Sequence, residues 1–173
     1  AAVCQAEGLV PIVEPEVLMD GEHDIDRHAT VTEAVQQAVF NALYRHHVVF
    51  ELMLLKPNMV LPGKNCRRAP AAEVAQATLK VLRRTVPAAV SSIHFLSGGQ
   101  TPEEATENLN AINQQGHNSP WRLSLSYGRA LQQPALNVWL GRAENQMAAQ
   151  QALLKRARLN HLAMLGEYAG GLE

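Results

Sequence analysis

Cysteine is nearly absent from this chain: Cys4 and Cys66 are the only two, and no CxxC spacing occurs. That argues against a disulfide framework and a cysteine-built zinc site. Two lone thiols suit a reducing compartment better than secretion. An excess of charge is missing too. The net charge is −1, so neither a nucleic acid nor an anionic membrane is expected as partner. No apolar run approaches the ~20 residues that cross a bilayer. The opening residues, Ala1-Ala2-Val3-Cys4-Gln5-Ala6-Glu7, have no basic segment followed by an apolar one, so they do not read as a signal peptide. They also lack an initiator Met, which raises the expectation of a chain that begins inside a longer protein. What is present is globular in character: 173 residues, 47 % hydrophobic and 18 % charged. That is enough for one domain with a real core, residues 1–173.

Apolar runs alternate with helical patterns. Leu9–Glu14 reads as a short strand. Thr30 is placed to cap the next helix, with Glu33 as its capping-box partner, and Val31, Ala34, Val35, Ala38, Val39, Ala42 and Leu43 keep a helical period. Val48–Leu55 reads as a second strand, and a helix over about 71–84 follows, ended by Pro87. Val90–Leu96 is the third strand and closes on Ser97-Gly98-Gly99. Thr101-Pro102-Glu103-Glu104 is a capping box with proline at the first helical position, and that helix stops near Gly116. Trp121–Tyr127 is the fourth strand, followed by Gly128-Arg129, and a last helix covers roughly 144–165. Apolar strands alternating with amphipathic helices predict an α/β fold with a parallel sheet.

Functional-looking residues stand at the end of every strand. Lys56 closes the run Val48–Leu55 and precedes Pro57. A lysine there ordinarily snorkels to solvent. In apolar surroundings, however, an amine loses its charged form more easily, and a free amine attacks carbonyls to form a Schiff base. Glu14 and Glu16 are two apart and project to one side if the extended geometry holds across Pro15. Carboxyl groups beside an amine supply the proton transfers that Schiff-base chemistry needs. Ser97-Gly98-Gly99 before a capped helix resembles an anion site, and Arg129 could clamp a phosphate. In parallel α/β folds, sites form at the carboxyl ends of strands, so the four ends together say more than any one. Other residues read as structural: His46 and His47 at a helix end, Trp121 and Trp139 as core or interface aromatics. His23, Asp24 and Asp26 match no strong metal motif.

Six stretches carry a resemblance to a known family: Gly-Leu-Val-Pro-Ile-Val-Glu-Pro-Glu (8–16), Leu-Leu-Lys-Pro-Asn-Met-Val (54–60), Leu-Arg-Arg-Thr-Val-Pro (82–87), Phe-Leu-Ser-Gly-Gly-Gln (95–100), Leu-Asn-Ala-Ile-Asn (109–113) and Ser-Tyr-Gly-Arg-Ala-Leu-Gln (126–132). In family order and across nearly the whole chain, they resemble the class I, Schiff-base-forming fructose-1,6-bisphosphate aldolases. The resemblance implies half of a TIM (β/α)8 barrel, strands five to eight with their helices. It implies Lys56 as the Schiff-base nucleophile, Glu14 as its proton-transfer group and Glu16 as a supporting carboxylate. Ser97, Gly98, Gly128 and Arg129 match the family's phosphate-binding positions. No metal or cofactor is implied. The implied substrate is a phosphorylated sugar, and the implied partners are the N-terminal half of the barrel and further copies in a cytosolic homotetramer of glycolysis and gluconeogenesis. This chain alone is then expected to be inactive.

Three residues depart from the family pattern. Leu52 and Met53 stand where the family usually has Gly-Thr, and Leu140 replaces a glycine after Trp139. Leu52 shares the parity of Lys56 and is expected to point into the barrel, where added volume costs ~1–3 kcal/mol. The competing reading is a non-catalytic fragment that binds an anion or self-associates through its exposed edges.

Overall fold

The computed structural model describes residues 1–172. Four short strands lie side by side in chain order: β1 (Ile12–Val13), β2 (Leu54–Leu55), β3 (Ser92–Phe95) and β4 (Arg122–Leu125). Every neighbouring pair is parallel. Parallel strands need a crossover between them, and helices supply it here. A short α1 (Ala2–Ala6) comes first. Then α2 (Ile25–Arg45), α3 (Ala71–Thr85) and α4 (Pro102–Gln115) link the strands in turn, and α5 (Arg129–Trp139) and α6 (Gln146–Leu165) follow β4.

The helices cover one face of the sheet. Leu55, Ile93, Phe95 and Leu123 are buried there with Val74, Leu79 and Leu82 of α3 and Leu109 and Ile112 of α4. Each large side chain fully buried in this layer contributes ~1.5–3 kcal/mol. The register places Ile12, Leu54, Ser92 and Arg122 in one row. None of these four is buried. The sheet therefore has one packed face and one open face within this chain.

Two expectations from the sequence change. The apolar run 48–55 is not one strand: only Leu54 and Leu55 join the ladder, and Phe50–Leu52 forms a 3-10 turn. Gln5 explains the difference. Its side-chain amide accepts from the Val49 amide at 2.9 Å and donates to the carbonyls of Val49 and Leu52 at 2.9 and 3.1 Å. Phe50 meets Phe40 of α2 edge to face at 5.6 Å. Leu52 lies in this turn outside the ladder and is 54 % exposed within this chain, while Met53 is fully buried. Helix α2 also begins earlier than its pattern suggested. Asp24 caps it by accepting from the Arg27 amide at 2.7 Å. Thr30 lies inside the helix, where its hydroxyl donates to the Asp26 carbonyl. Both residues can cap a helix start, and the aspartate comes first in the chain.

The remaining structural residues are accounted for locally. Asp24 is the cap, and the ring of His23 stacks on His28 at 5.2 Å. His46 and His47 close α2 through backbone bonds, with His47 at φ +54. Trp121 is buried and donates from Nε1 to the Pro87 carbonyl at 2.9 Å. Trp139 at the end of α5 is partly exposed.

Candidate active site

The ends of β1 and β2 bring the first two predicted residues together. The Lys56 amide donates to the Val13 carbonyl at 2.8 Å, which carries the ladder one step past the strands. Glu14 and Lys56 then sit side by side, and Nζ lies 3.0 Å from Glu14 Oε1. The lysine side chain is 19 % exposed. The amine is thus reachable from the open face instead of being sealed in an apolar pocket. Glu16 is exposed and forms no ion pair among the described residues. The structure brings Glu14 to the lysine and leaves Glu16 apart.

The segment that carries the two glutamates is pinned at Val17 by residues that were not singled out from sequence. Asn58 is buried, and its Oδ1 accepts from the Val17 amide at 2.8 Å. His28 Nε2 lies 3.2 Å from the Val17 carbonyl, and Nδ1 lies 3.2 Å from the Leu61 amide. An amide can donate only to a bare ring nitrogen, so the proton sits on Nε2 and is donated to Val17. Burial lowers the His28 pKa and keeps the ring neutral; nearby His23 acts in the same sense, and the bond to Val17 opposes it. The available sequence signal was a buried-type context for a polar residue: an asparagine inside Leu55-Lys56-Pro57-Asn58-Met59-Val60. A lone histidine in an amphipathic helix gives no comparable signal.

The ends of β3 and β4 build the second part. Ser97 is buried, and Gly98 and Gly99 adopt φ +56 and +82, a conformation that side chains disfavour. Gln100 closes this turn. Its backbone and side-chain amides both donate to the Ser97 carbonyl, at 3.1 and 2.8 Å, and Asn108 Nδ2 holds its Oε1 at 2.7 Å. Across from it, Gly128 precedes α5 and Arg129 is its first residue, exposed to solvent. The two turns face each other over a cleft of ≈ 220 Å³ lined by Ser97, Gly99, Gln100 and Pro102 on one side and Arg129 and Gln133 on the other.

The two helix starts at this cleft differ in what they can bind. Helix α4 satisfies itself: the Thr101 hydroxyl accepts from the Glu104 amide at 3.2 Å, and Glu104 Oε2 accepts from the Thr101 amide at 2.8 Å. Glu103 and Glu104 also place negative charge in its first turn. Helix α5 has no side-chain cap and no acid in its first turn. The start of α4 is thus occupied by its own carboxylate, whereas the start of α5 carries neither a side-chain cap nor an acid.

Among the described residues, no helix is long and apolar enough to cross a membrane. The chain matches the family model of fructose-bisphosphate aldolase class-I over residues 1–173. It is 57 % identical over 169 residues to fructose-bisphosphate aldolase B of Gallus gallus, covering 97 % of this chain and 46 % of that protein. It is 55 % identical over 170 residues to the cytoplasmic isozyme 2 of fructose-bisphosphate aldolase from Pisum sativum, covering 98 % and 47 %. The fold superimposes on Plasmodium falciparum fructose-bisphosphate aldolase, solved in complex with TRAP and a small-molecule inhibitor. The TM-score is 0.96 at 50 % identity, over 99 % of this chain and 49 % of that one. The chain spans about half the length of the curated relatives it matches. The open sheet face and the four consecutive parallel strands are what half of an aldolase TIM barrel presents when its other strands are not there to close it. With the strand order, the Lys56–Glu14 pair and these matches in agreement, the chain belongs to the class-I fructose-bisphosphate aldolase family.

Proposed function

We propose that this chain is the Schiff-base half of a fructose-bisphosphate aldolase, which cleaves fructose 1,6-bisphosphate reversibly to dihydroxyacetone phosphate and glyceraldehyde 3-phosphate. The observation that carries the proposal is the 3.0 Å contact between Lys56 Nζ and Glu14 Oε1 at the carboxyl end of neighbouring strands. The Lys56 amine attacks the ketone carbon, and a proton moves to the resulting alkoxide. Glu14 is placed to take a proton from nitrogen and return it to the hydroxyl, which leaves as water. The resulting iminium draws in the electron pair of the C3–C4 bond. The C4 fragment departs as the aldehyde, and the enamine left on Lys56 is protonated at C3 and hydrolysed to the ketone. Glu16 is the supporting carboxylate of this reading; it lies two residues along the same segment and does not pair with Lys56 among the described residues. The base that takes the C4 hydroxyl proton belongs to the half of the barrel outside this chain.

The cleft between Ser97-Gly98 and Gly128-Arg129 holds a substrate phosphate. A Cβ on Gly128 meets no atom within 4 Å, so packing does not call for glycine there. Bare backbone leaves room for a phosphate oxygen beside the uncapped start of α5, and the Arg129 guanidinium offers two parallel donors. The whole enzyme acts in the cytoplasm as a homotetramer and needs no metal for this chemistry. A non-catalytic anion-binding or self-associating module finds less support, because such a module has no use for the lysine–carboxylate pair.

Borohydride trapping with dihydroxyacetone phosphate tests the proposal, with this segment expressed in register with the N-terminal half of an aldolase. Peptide mass spectrometry is expected to find the reduced adduct on Lys56 and to lose it in Lys56→Met. An adduct on another lysine, or none while a reference aldolase labels, would overturn it.

A further inference from the structure

The two turns of the phosphate cleft come from different βα units, and no covalent link sets the distance between them. Behind the cleft lies a frame of buried polar contacts that catalysis does not use. Tyr127 immediately precedes Gly128-Arg129. It is 5 % exposed, and its hydroxyl donates to the Ala105 carbonyl in the first turn of α4 at 2.8 Å. Arg156 of α6 is 4 % exposed, and its Nη2 donates to the Pro102 carbonyl at 2.8 Å and to Thr106 Oγ1 at 2.5 Å. Thr106 Oγ1 lies 2.7 Å from Asn160 Oδ1, also on α6. Pro102 itself lines the cleft. Helix α6 packs on both α4 and α5, so the frame closes.

Apolar side chains could fill this layer. Burying a phenol oxygen and a guanidinium instead is costly unless every bond is made. What polar groups add is direction: a hydrogen bond fixes an angle and a distance, and apolar packing does so less strictly. Both groups bond the same short stretch, residues 102–106, which begins at the cleft wall. Burial also pushes the Tyr127 pKa up, so the phenol stays a neutral donor.

We propose that Tyr127 and Arg156 are positioning residues for substrate phosphate: together they hold the start of α4 at a fixed distance from the Gly128-Arg129 turn. The proposal rests on reading that cleft as the phosphate site. It assigns neither residue a contact with substrate. It separates phosphate recognition from the amine chemistry at Lys56, which lies on other strands.

The test is trapping on Lys56 in the full-length enzyme that carries this segment, run over a range of dihydroxyacetone phosphate and, separately, of dihydroxyacetone, which has no phosphate. Tyr127→Phe is expected to raise the half-saturating concentration of the phosphorylated ketone about five-fold, the size of one lost hydrogen bond. The unphosphorylated ketone should not change. Arg156→Met should move the same ratio, and Arg156→Lys, which keeps the charge, should recover most of it. If Arg156→Met does not fold, Tyr127→Phe and Arg156→Lys still decide. Equal shifts for both ketones, or no shift for either, would mean a purely structural role and overturn the proposal. A wild-type enzyme that traps both ketones on Lys56 without preferring the phosphorylated one would overturn the phosphate reading, and this inference with it.

Discussion

Helices α4 and α5 stand side by side at the same end of the sheet, yet they are built in opposite ways. Helix α4 opens on a capping box with two acids in its first turn and ends at Gly116. A Cβ on Gly116 would come within 2.6 Å of the Ile112 carbonyl. Helix α5 opens on bare Gly128, carries Pro134 in its interior and ends on Leu140 at φ +54. The first helix satisfies its own start. The second is left with its positive end uncapped at the cleft. The difference teaches that a helix which stabilises itself cannot also hold a ligand at its N-terminus. The uncapped one leaves its first amides free for a ligand at a cost in local stability.

That contrast can be broken by giving α5 the kind of start α4 has. In Gly128→Asp, a carboxylate occupies the end of α5 as Glu104 occupies the end of α4. Trapping of dihydroxyacetone phosphate is expected to weaken by about 10- to 100-fold, the range for losing charge-assisted bonds and adding a like charge. Retained affinity would show that phosphate binds elsewhere. A smaller loss, about tenfold, is expected for Arg129→Gln, which leaves the helix start intact. Its dependence on phosphate can be read by repeating the titration with dihydroxyacetone, which should not respond.

At α4 the effect should fall on stability alone. Thr101→Ala removes the cap and should cost ~1 kcal/mol in a denaturant titration. If it also weakened phosphate binding as much as Arg129→Gln, the assignment of the anion to α5 would be wrong. The smallest change concerns the far end of α5. Leu140 is exposed and left-handed, where a Cβ costs ~1–2 kcal/mol. Leu140→Gly should therefore raise the denaturation midpoint by an amount worth about 1 kcal/mol, with trapping unchanged. A midpoint that stays or falls would mean that the leucine makes contacts offsetting its backbone cost.

The same two helices show what could be read along the chain. Helix α4 was legible from Thr101 to Gly116 because local signals mark both ends. Helix α5 carries no such signals. It lacks a cap, contains a proline and ends on a leucine where the family has glycine, so nothing local announces it. Lys56 and Glu14 were legible from strand ends and motifs, as were Ser97, Gly98, Gly128 and Arg129 as candidates. Asn58, His28, Gln100, Asn108, Tyr127 and Arg156 were not. Each is a polar residue made useful by a partner far away in sequence, as with Asn58 and Val17 or Arg156 and Pro102.

The sequence by itself determined the alternation of strand and helix, the parallel α/β class, the family and the candidate lysine at the end of the second strand. These follow from periodicity, capping and short motifs, which act within a few residues. Only the tertiary structure decided that Phe50–Leu52 leaves the strand, that Glu14 rather than Glu16 pairs with Lys56, and that α5 begins beside the cleft without a side-chain cap. Those outcomes depend on which distant side chain arrives to satisfy a backbone group. Such pairings are settled by packing in three dimensions, and no local pattern encodes them.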